Sequence, residues 1–182
     1  YVFSPNPPYI DVDNPVGTYR RTFTVPQNWQ GREVLLHFGS ISGYARIYVN
    51  GQQVGMTKAS KTPAEFNVTN YLKKGENLLA VQVYRWHDGS YMEDQDFWRL
   101  SGIERDVFLT AYPQTTIWDF FLHAGLDDTY RHGQFRATVD LRSFNANATL
   151  QKGTLTLELK DAGGKTVLSA QKAYCISDIS TT

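Results

Sequence analysis

The chain has 182 residues, of which 41% are hydrophobic, 14% aromatic and 20% charged, and its 18 Lys and Arg balance its 18 Asp and Glu. That length supports a real core without staples, while the zero net charge argues against nucleic acid, whose phosphates demand a basic excess, and against an anionic membrane surface. No apolar run approaches the roughly 20 residues that span a bilayer. The lone Cys175 cannot form an internal disulfide and gives no reading of the compartment.

The dominant period is two. Tyr19, Arg21, Phe23 and Val25 alternate with Arg20, Thr22 and Thr24, predicting a half-buried strand that ends at Pro26. Val34 to Phe38 is a short apolar run. The turn-like Gly39-Ser40-Ile41-Ser42-Gly43 lacks the central serine of a G-x-S-x-G nucleophile elbow. Tyr44 to Val49 alternates again and runs into Asn50-Gly51, a strong hairpin signal, with Gln52 to Val54 returning. Thr69 to Lys73 suits one helical turn, Leu78 to Trp86 is the longest strand candidate, and Asp106 to Tyr112 is another. No stretch carries a 3.6-residue apolar stripe with caps at both ends, so the class is all-β.

A boundary is expected near Pro113-Gln114-Thr115-Thr116, dividing the chain into residues 1–112 and 113–182. Beyond it, Ile117 to Leu126, Phe135 to Leu141 and Leu155 to Leu159 read as strands, followed by a turn at Asp161 to Lys165 and a return through Val167. The spacing fits an immunoglobulin-like sandwich that is incomplete, since such a domain has about 100 residues. The chain opens at Tyr1 rather than Met and stops at Ser180-Thr181-Thr182, and it is expected to be a piece of a longer protein.

His37, His87, His123 and His132 are scattered without metal-ligand spacing and read as ordinary surface or strand histidines. Asn67-Val68-Thr69 and Asn147-Ala148-Thr149 are formal glycosylation sequons, of a kind that arises often by chance. The segment Arg85 to Gly102 stands apart. Glu93, Asp94 and Asp96 sit within four positions, framed by Trp86, Tyr91, Phe97 and Trp98. Flat aromatic faces match the C–H face of a sugar ring, and carboxylates accept hydrogen bonds from hydroxyls and hold hard cations through oxygen. A buried loop whose acids pair with Arg85, Arg99 or Arg105 fits the same composition. The calcium-loop spacing is absent. A local acid–nucleophile pair is disfavoured, because clustering alone gives no reason for one pKa to rise and the other to fall.

The strings Asn77-Leu78-Leu79-Ala80-Val81, Tyr84-Arg85-Trp86, Asp88-Gly89-Ser90-Tyr91, Glu93-Asp94-Gln95-Asp96 and Trp98 to Ile103 together resemble the N-terminal sugar-binding domain of bacterial β-galactosidases of glycoside hydrolase family 2. Asn14 to Tyr19, Val49-Asn50-Gly51, Pro63 to Phe66 and Arg105-Asp106-Val107 extend the resemblance. It runs from about Asn6 to Tyr112 and weakens from Pro113 onward. It implies a jelly roll (a galactose-binding-like β-sandwich), then an immunoglobulin-like domain, and then a TIM barrel carrying both catalytic glutamates. No catalytic residue is therefore expected in this chain, and the piece alone is expected to be inactive.

By the same resemblance Asp96 contacts the substrate's galactose and a bound sodium ion, while magnesium belongs to the barrel and is not bound here. The implied partners are a β-galactoside, the remaining domains of the enzyme and, in the full-length protein, further copies of itself. The Glu-Asp-Gln-Asp string argues for galactoside over β-glucuronide or β-mannoside. A free carbohydrate-binding module is the alternative.

Overall fold

The computed structural model describes residues 6–93, 98–144 and 151–176. Its strands are β1 (Val16–Thr24), β2 (Glu33–Phe38), β3 (Ile41–Ser42), β4 (Tyr44–Val49), β5 (Gln52–Thr57), β6 (Ala64–Asn67), β7 (Glu76–Tyr84), β8 (Gly102–Ile103), β9 (Val107–Tyr112), β10 (Thr115–Leu126), β11 (Gly133–Ser143), β12 (Gln151–Lys160) and β13 (Thr166–Ile176). Three short 3₁₀ turns, at Gln27–Trp29, Thr69–Tyr71 and Asp88–Tyr91, are the only helical elements among the described residues. The chain divides into two compact units, Tyr1–Pro113 and Gln114–Thr182.

The first unit is an open jelly-roll β-sandwich. One sheet runs β1-β7-β4-β5 and the other β6-β2-β9, with the short pair β3-β8 beside them. All of these pairings are antiparallel. Alternation places Val34, Leu36 and Phe38 of β2 against Ala45, Ile47 and Val49 of β4 and Val81 and Val83 of β7, all buried in one cluster. Removing this apolar surface from water is the main force holding the sheets together.

Asn50 and Gly51 adopt φ of 53° and 83°, both left-handed, as the two-residue β4–β5 hairpin requires. Asn50 also donates to the carbonyl of Tyr71 and the side-chain oxygen of Asn77, each at 2.8 Å. The buried Asn77 accepts a further bond from the Lys73 N–H and donates to the carbonyls of Lys73 and Gly75. A buried amide is tolerable only when so satisfied.

Two expectations are modified. The Gly39–Gly43 turn contains β3, which pairs with β8 (Ile41 opposite Ile103). The half-buried face expected of β1 is half-buried only at Phe23; Tyr19 and Arg21 on the same face are exposed.

The second unit consists of two hairpins, β10–β11 and β12–β13, that form separate two-stranded sheets. In β11 the half-buried Phe135, Ala137, Val139 and Leu141 alternate with exposed Gln134, Arg136, Thr138 and Asp140. Leu155 and Leu157 of β12 are likewise half-buried. None of the described residues in this unit is fully buried. The strands predicted beyond Pro113 are therefore present, but among the described residues no single sheet or closed core joins them. The β12–β13 turn is organised by Asp161, whose Oδ1 accepts from the N–H groups of Gly163 and Lys165. Cys175 is a free, exposed thiol.

Candidate functional site

A cleft of about 240 Å³ opens beside the end of β7, lined by Arg85, Trp86, Glu93, Trp98, Arg99 and Ser101, among others. Trp86, one of its lining residues, is fixed by Asn14. The Asn14 amide donates to the Trp86 carbonyl at 2.8 Å and accepts from the Trp86 N–H at 2.9 Å, so one side chain clamps both backbone groups of the residue leaving β7. Arg85 lies over the Trp86 ring, 4.9 Å from its centroid. Trp98 is 82% exposed, and a face so open to solvent is available to a ligand.

After Trp86 the chain turns through the 3₁₀ segment Asp88–Tyr91, closed by a reciprocal cap. His87 Nδ1 accepts from the Gly89 N–H at 3.2 Å, and the His87 N–H donates to Ser90 Oγ at 3.1 Å. Asp88 in the first turn favours the positive helix end and pairs with Lys58 Nζ at 2.7 Å. Lys58's hydrogen bond is the main reason the Asp88 carboxyl is held below its usual range, aided by the Gly89 N–H.

His87 is buried, with its side chain only 5% exposed. Because Nδ1 accepts, the ring proton of the neutral form sits on Nε2. Nε2 is 3.4 Å from Glu93 Oε2 but makes no hydrogen bond among the described residues; the contact is one of proximity rather than alignment. Glu93 Oε1 accepts from the Ser60 N–H at 3.4 Å, which ties the end of this turn to the β5–β6 connection. There Ser60 Oγ accepts from the Gly43 N–H at 3.0 Å, and Lys61 Nζ meets Glu104 Oε1 at 2.6 Å.

These contacts sort the predicted site residues. Arg85, Trp86, Glu93 and Trp98 converge on one cleft. Asp94, Gln95, Asp96 and Phe97 lie outside the described residues, so the substrate and sodium roles expected of Asp96 fall there too. Among the described residues no group of three or more His, Cys, Asp or Glu is placed to hold a metal ion. Of the three loop acids, Glu93 meets the Ser60 N–H and lies beside His87, while Asp94 and Asp96 lie outside the described residues; nearby, Asp88 pairs with Lys58 and Glu104 with Lys61.

The reading of all four histidines as surface or strand residues is corrected at His87, a buried cap. Its only sequence signal was a Ser three residues on, in the manner of a capping box but with His in place of Ser or Thr. The role of Asn14 is not legible in the sequence, because a lone Asn 72 positions from its partner offers no local signal.

An antiparallel sandwich of this topology belongs to the jelly-roll class of β-sandwich domains. Comparison with known proteins narrows this. Residues 1–113 match the family described as glycosyl hydrolases family 2, sugar binding domain, and the chain belongs to that family. Among its relatives, a β-galactosidase of Priestia megaterium is 42% identical over 94% of this chain and 17% of its own length. One of Vibrio cholerae is 40% identical over 96% of this chain and 16% of its own length. The chain thus spans about a sixth of these relatives.

Among solved structures, a Bacteroides uniformis β-glucuronidase superposes with a TM-score of 0.78 at 25% identity, covering 92% of this chain and 20% of that one. A β-glucuronidase of an uncultured Clostridium superposes at 0.67 with 28% identity, over 89% and 29% of the two chains.

Proposed function

We propose that this chain is the N-terminal part of a β-galactosidase that hydrolyses terminal non-reducing β-D-galactose residues. The observation that carries the reading is the 42% identity, across 94% of the chain, to a protein named β-galactosidase; the β-glucuronidases are less similar at 25% and 28%. In this reading the two catalytic glutamates lie elsewhere in the enzyme. The chain contributes scaffold, contacts to the other domains and one active-site residue, Asp96, which accepts from a galactose hydroxyl and balances a sodium ion. An ionised carboxylate suits both tasks, since it accepts without donating. The cleft of Trp86, Glu93 and Trp98 lies on either side of that residue in sequence.

The test uses the complete enzyme. It should cleave a chromogenic β-galactoside in preference to the matching β-glucuronide, and the isolated 182-residue chain should cleave neither. Asp96→Asn should lower kcat/KM roughly ten- to a hundredfold, the worth of one charge-assisted hydrogen bond of about 1.5–3 kcal/mol, and should blunt the response to sodium. Asp94→Asn serves as control and should keep both. Preference for the glucuronide, or loss of activity and sodium response in Asp94→Asn but not Asp96→Asn, would refute the assignment; glycan binding without hydrolysis by the complete protein would favour a binding module.

A further inference from the structure

Of the four histidines only His87 is buried, and its ring is gripped from one side. Nδ1 accepts from the Gly89 N–H, and the turn closes so tightly over the ring that a Cβ at position 89 would lie 2.7 Å from Cε1. The proton of the neutral ring is therefore on Nε2, and a carboxylate oxygen of Glu93 stands 3.4 Å from that nitrogen. We propose that His87 is a positioning residue for the reaction: its Nε2–H holds the Glu93 carboxylate and so fixes the stem of the stretch that leads to Asp96. This rests on the β-galactosidase reading, with Asp96 as the galactose contact.

Burial supplies the need for a partner. The His87 side chain is 5% exposed, and Nε2 makes no hydrogen bond among the described residues. A buried N–H left unmet carries the full cost of its lost hydration, and Glu93 Oε2 is an acceptor within reach. A donor to an ionised carboxylate makes a charge-assisted bond, the stronger kind. Only alignment is lacking. Hydrogen bonds that serve a reaction are often long or poorly aligned before substrate binds and tighten in the complex.

Glu93 is placed to pass this hold on. Its backbone N–H donates to the Gly89 carbonyl at 3.1 Å, so its main chain belongs to the turn. Its side chain reaches further: Oε1 accepts from the Ser60 N–H at 3.4 Å, on the β5–β6 connection, and Oε2 faces His87. Both side-chain contacts are long, so the carboxylate is the adjustable member and the clamped ring the fixed one. Ser60 in turn accepts from the Gly43 N–H at the β3–β4 junction. Beyond Glu93, three residues of chain reach at most about 11 Å, so the place where Glu93 is held limits where Asp96 can stand. Misplacing a reacting contact by about 1 Å can cost on the order of a hundredfold in rate.

The experiment uses the complete enzyme and two substitutions that divide the ring between them. His87→Asn sets an amide oxygen in place of Nδ1 and keeps the cap on Gly89. His87→Gln sets an amide N–H in place of Nε2–H and keeps the donor to Glu93. For a chromogenic β-galactoside, kcat/KM should fall roughly tenfold in His87→Asn, the usual scale for a group that orients a metal-binding side chain. His87→Gln should recover most of that loss. In residue-resolved hydrogen exchange the Ser60 amide should exchange several-fold faster in His87→Asn than in the wild type or His87→Gln, because its acceptor is released. In an Asp96→Asn background His87→Asn should cost little further activity, since both act through one contact. Glu93→Gln, which sets a neutral amide against the ring, should show the same loss of kcat/KM and provides the test if His87→Asn fails to fold.

The proposal is overturned if His87→Asn keeps either the wild-type kcat/KM or the wild-type Ser60 exchange. It is overturned too if His87→Gln is the more impaired of the two, the order that capping alone predicts, or if His87→Asn costs as much with Asp96→Asn as without it. Full activity in Asp96→Asn refutes the reading of Asp96 and the route through it, whereas unchanged Ser60 exchange in His87→Asn refutes the hold on Glu93 whatever Asp96 does.

Discussion

Gly43 joins β3 to β4 at the mouth of the cleft, and replacing it with alanine tests how tightly that junction is built. Its φ is +104°, and a Cβ placed there would lie 2.3 Å from the Tyr84 carbonyl oxygen and 3.4 Å from that of Arg85. Real Cβ atoms essentially never come within 3.0 Å of such a neighbour, so backbone must yield by about 0.7 Å in packing that gives little. The oxygen belongs to β7, which pairs with β4 at Tyr44–Tyr84, and cannot swing away as a side-chain tip would.

Holding an L-residue at positive φ costs about 1–2 kcal/mol, and forcing extra volume into a packed site about 1–3 kcal/mol more. Gly43→Ala is therefore expected to cost about 2–5 kcal/mol, a fall in Tm of roughly 10 °C or more for a unit of this size. Gly31→Ala is the matched control: its φ is +77°, with nothing within 4 Å of the added methyl, so it should lose only the conformational part. Urea and heat unfolding of both variants give the comparison. If Gly43→Ala is no less stable than Gly31→Ala, the steric argument is wrong.

Three further expectations follow from single contacts. Ile47→Ala, in a fully buried position, should cost about 2–5 kcal/mol in urea unfolding, whereas Leu122→Ala, half exposed on β10, should cost well under 1 kcal/mol. Asn14→Asp keeps the shape but sets a carboxylate oxygen against the Trp86 carbonyl at the present 2.8 Å. Its protonated form restores the donor, so the folded-state pKa is raised, and stability measured by denaturation should be highest below about pH 4 and fall as pH rises through the folded value. The Asp127 carboxyl is held below its usual range first by the Thr129 hydroxyl and then by the Arg131 N–H. Its stabilising effect on the β10–β11 turn is thus present above the unfolded value of about 3.9 and lost as pH falls through the lower folded one. An NMR titration of Asp127 should show this midpoint below 3.9 and an upward move in Thr129→Val.

The amino-acid sequence by itself determined the all-β class, most strands and the β4–β5 turn. These rest on local physics: alternation with period two selects an extended strand with one apolar face, and Asn-Gly tolerates the two left-handed conformations of a tight hairpin. It also carried the family, because the strings from Asn77 to Ile103 stand in a definite order.

Only the tertiary structure decided which alternating faces are covered. Tyr19 and Ile47 both sit in regular β patterns, yet one is 43% exposed and the other fully buried. The difference is the presence of a facing sheet, which no local window records. It also decided the long-range partners around the cleft. Asn14 meets Trp86 over 72 positions and Glu93 meets Ser60 over 33. Such pairs form because antiparallel strands bring distant segments into register, and short polar side chains then satisfy whichever backbone groups the sheet edges leave open.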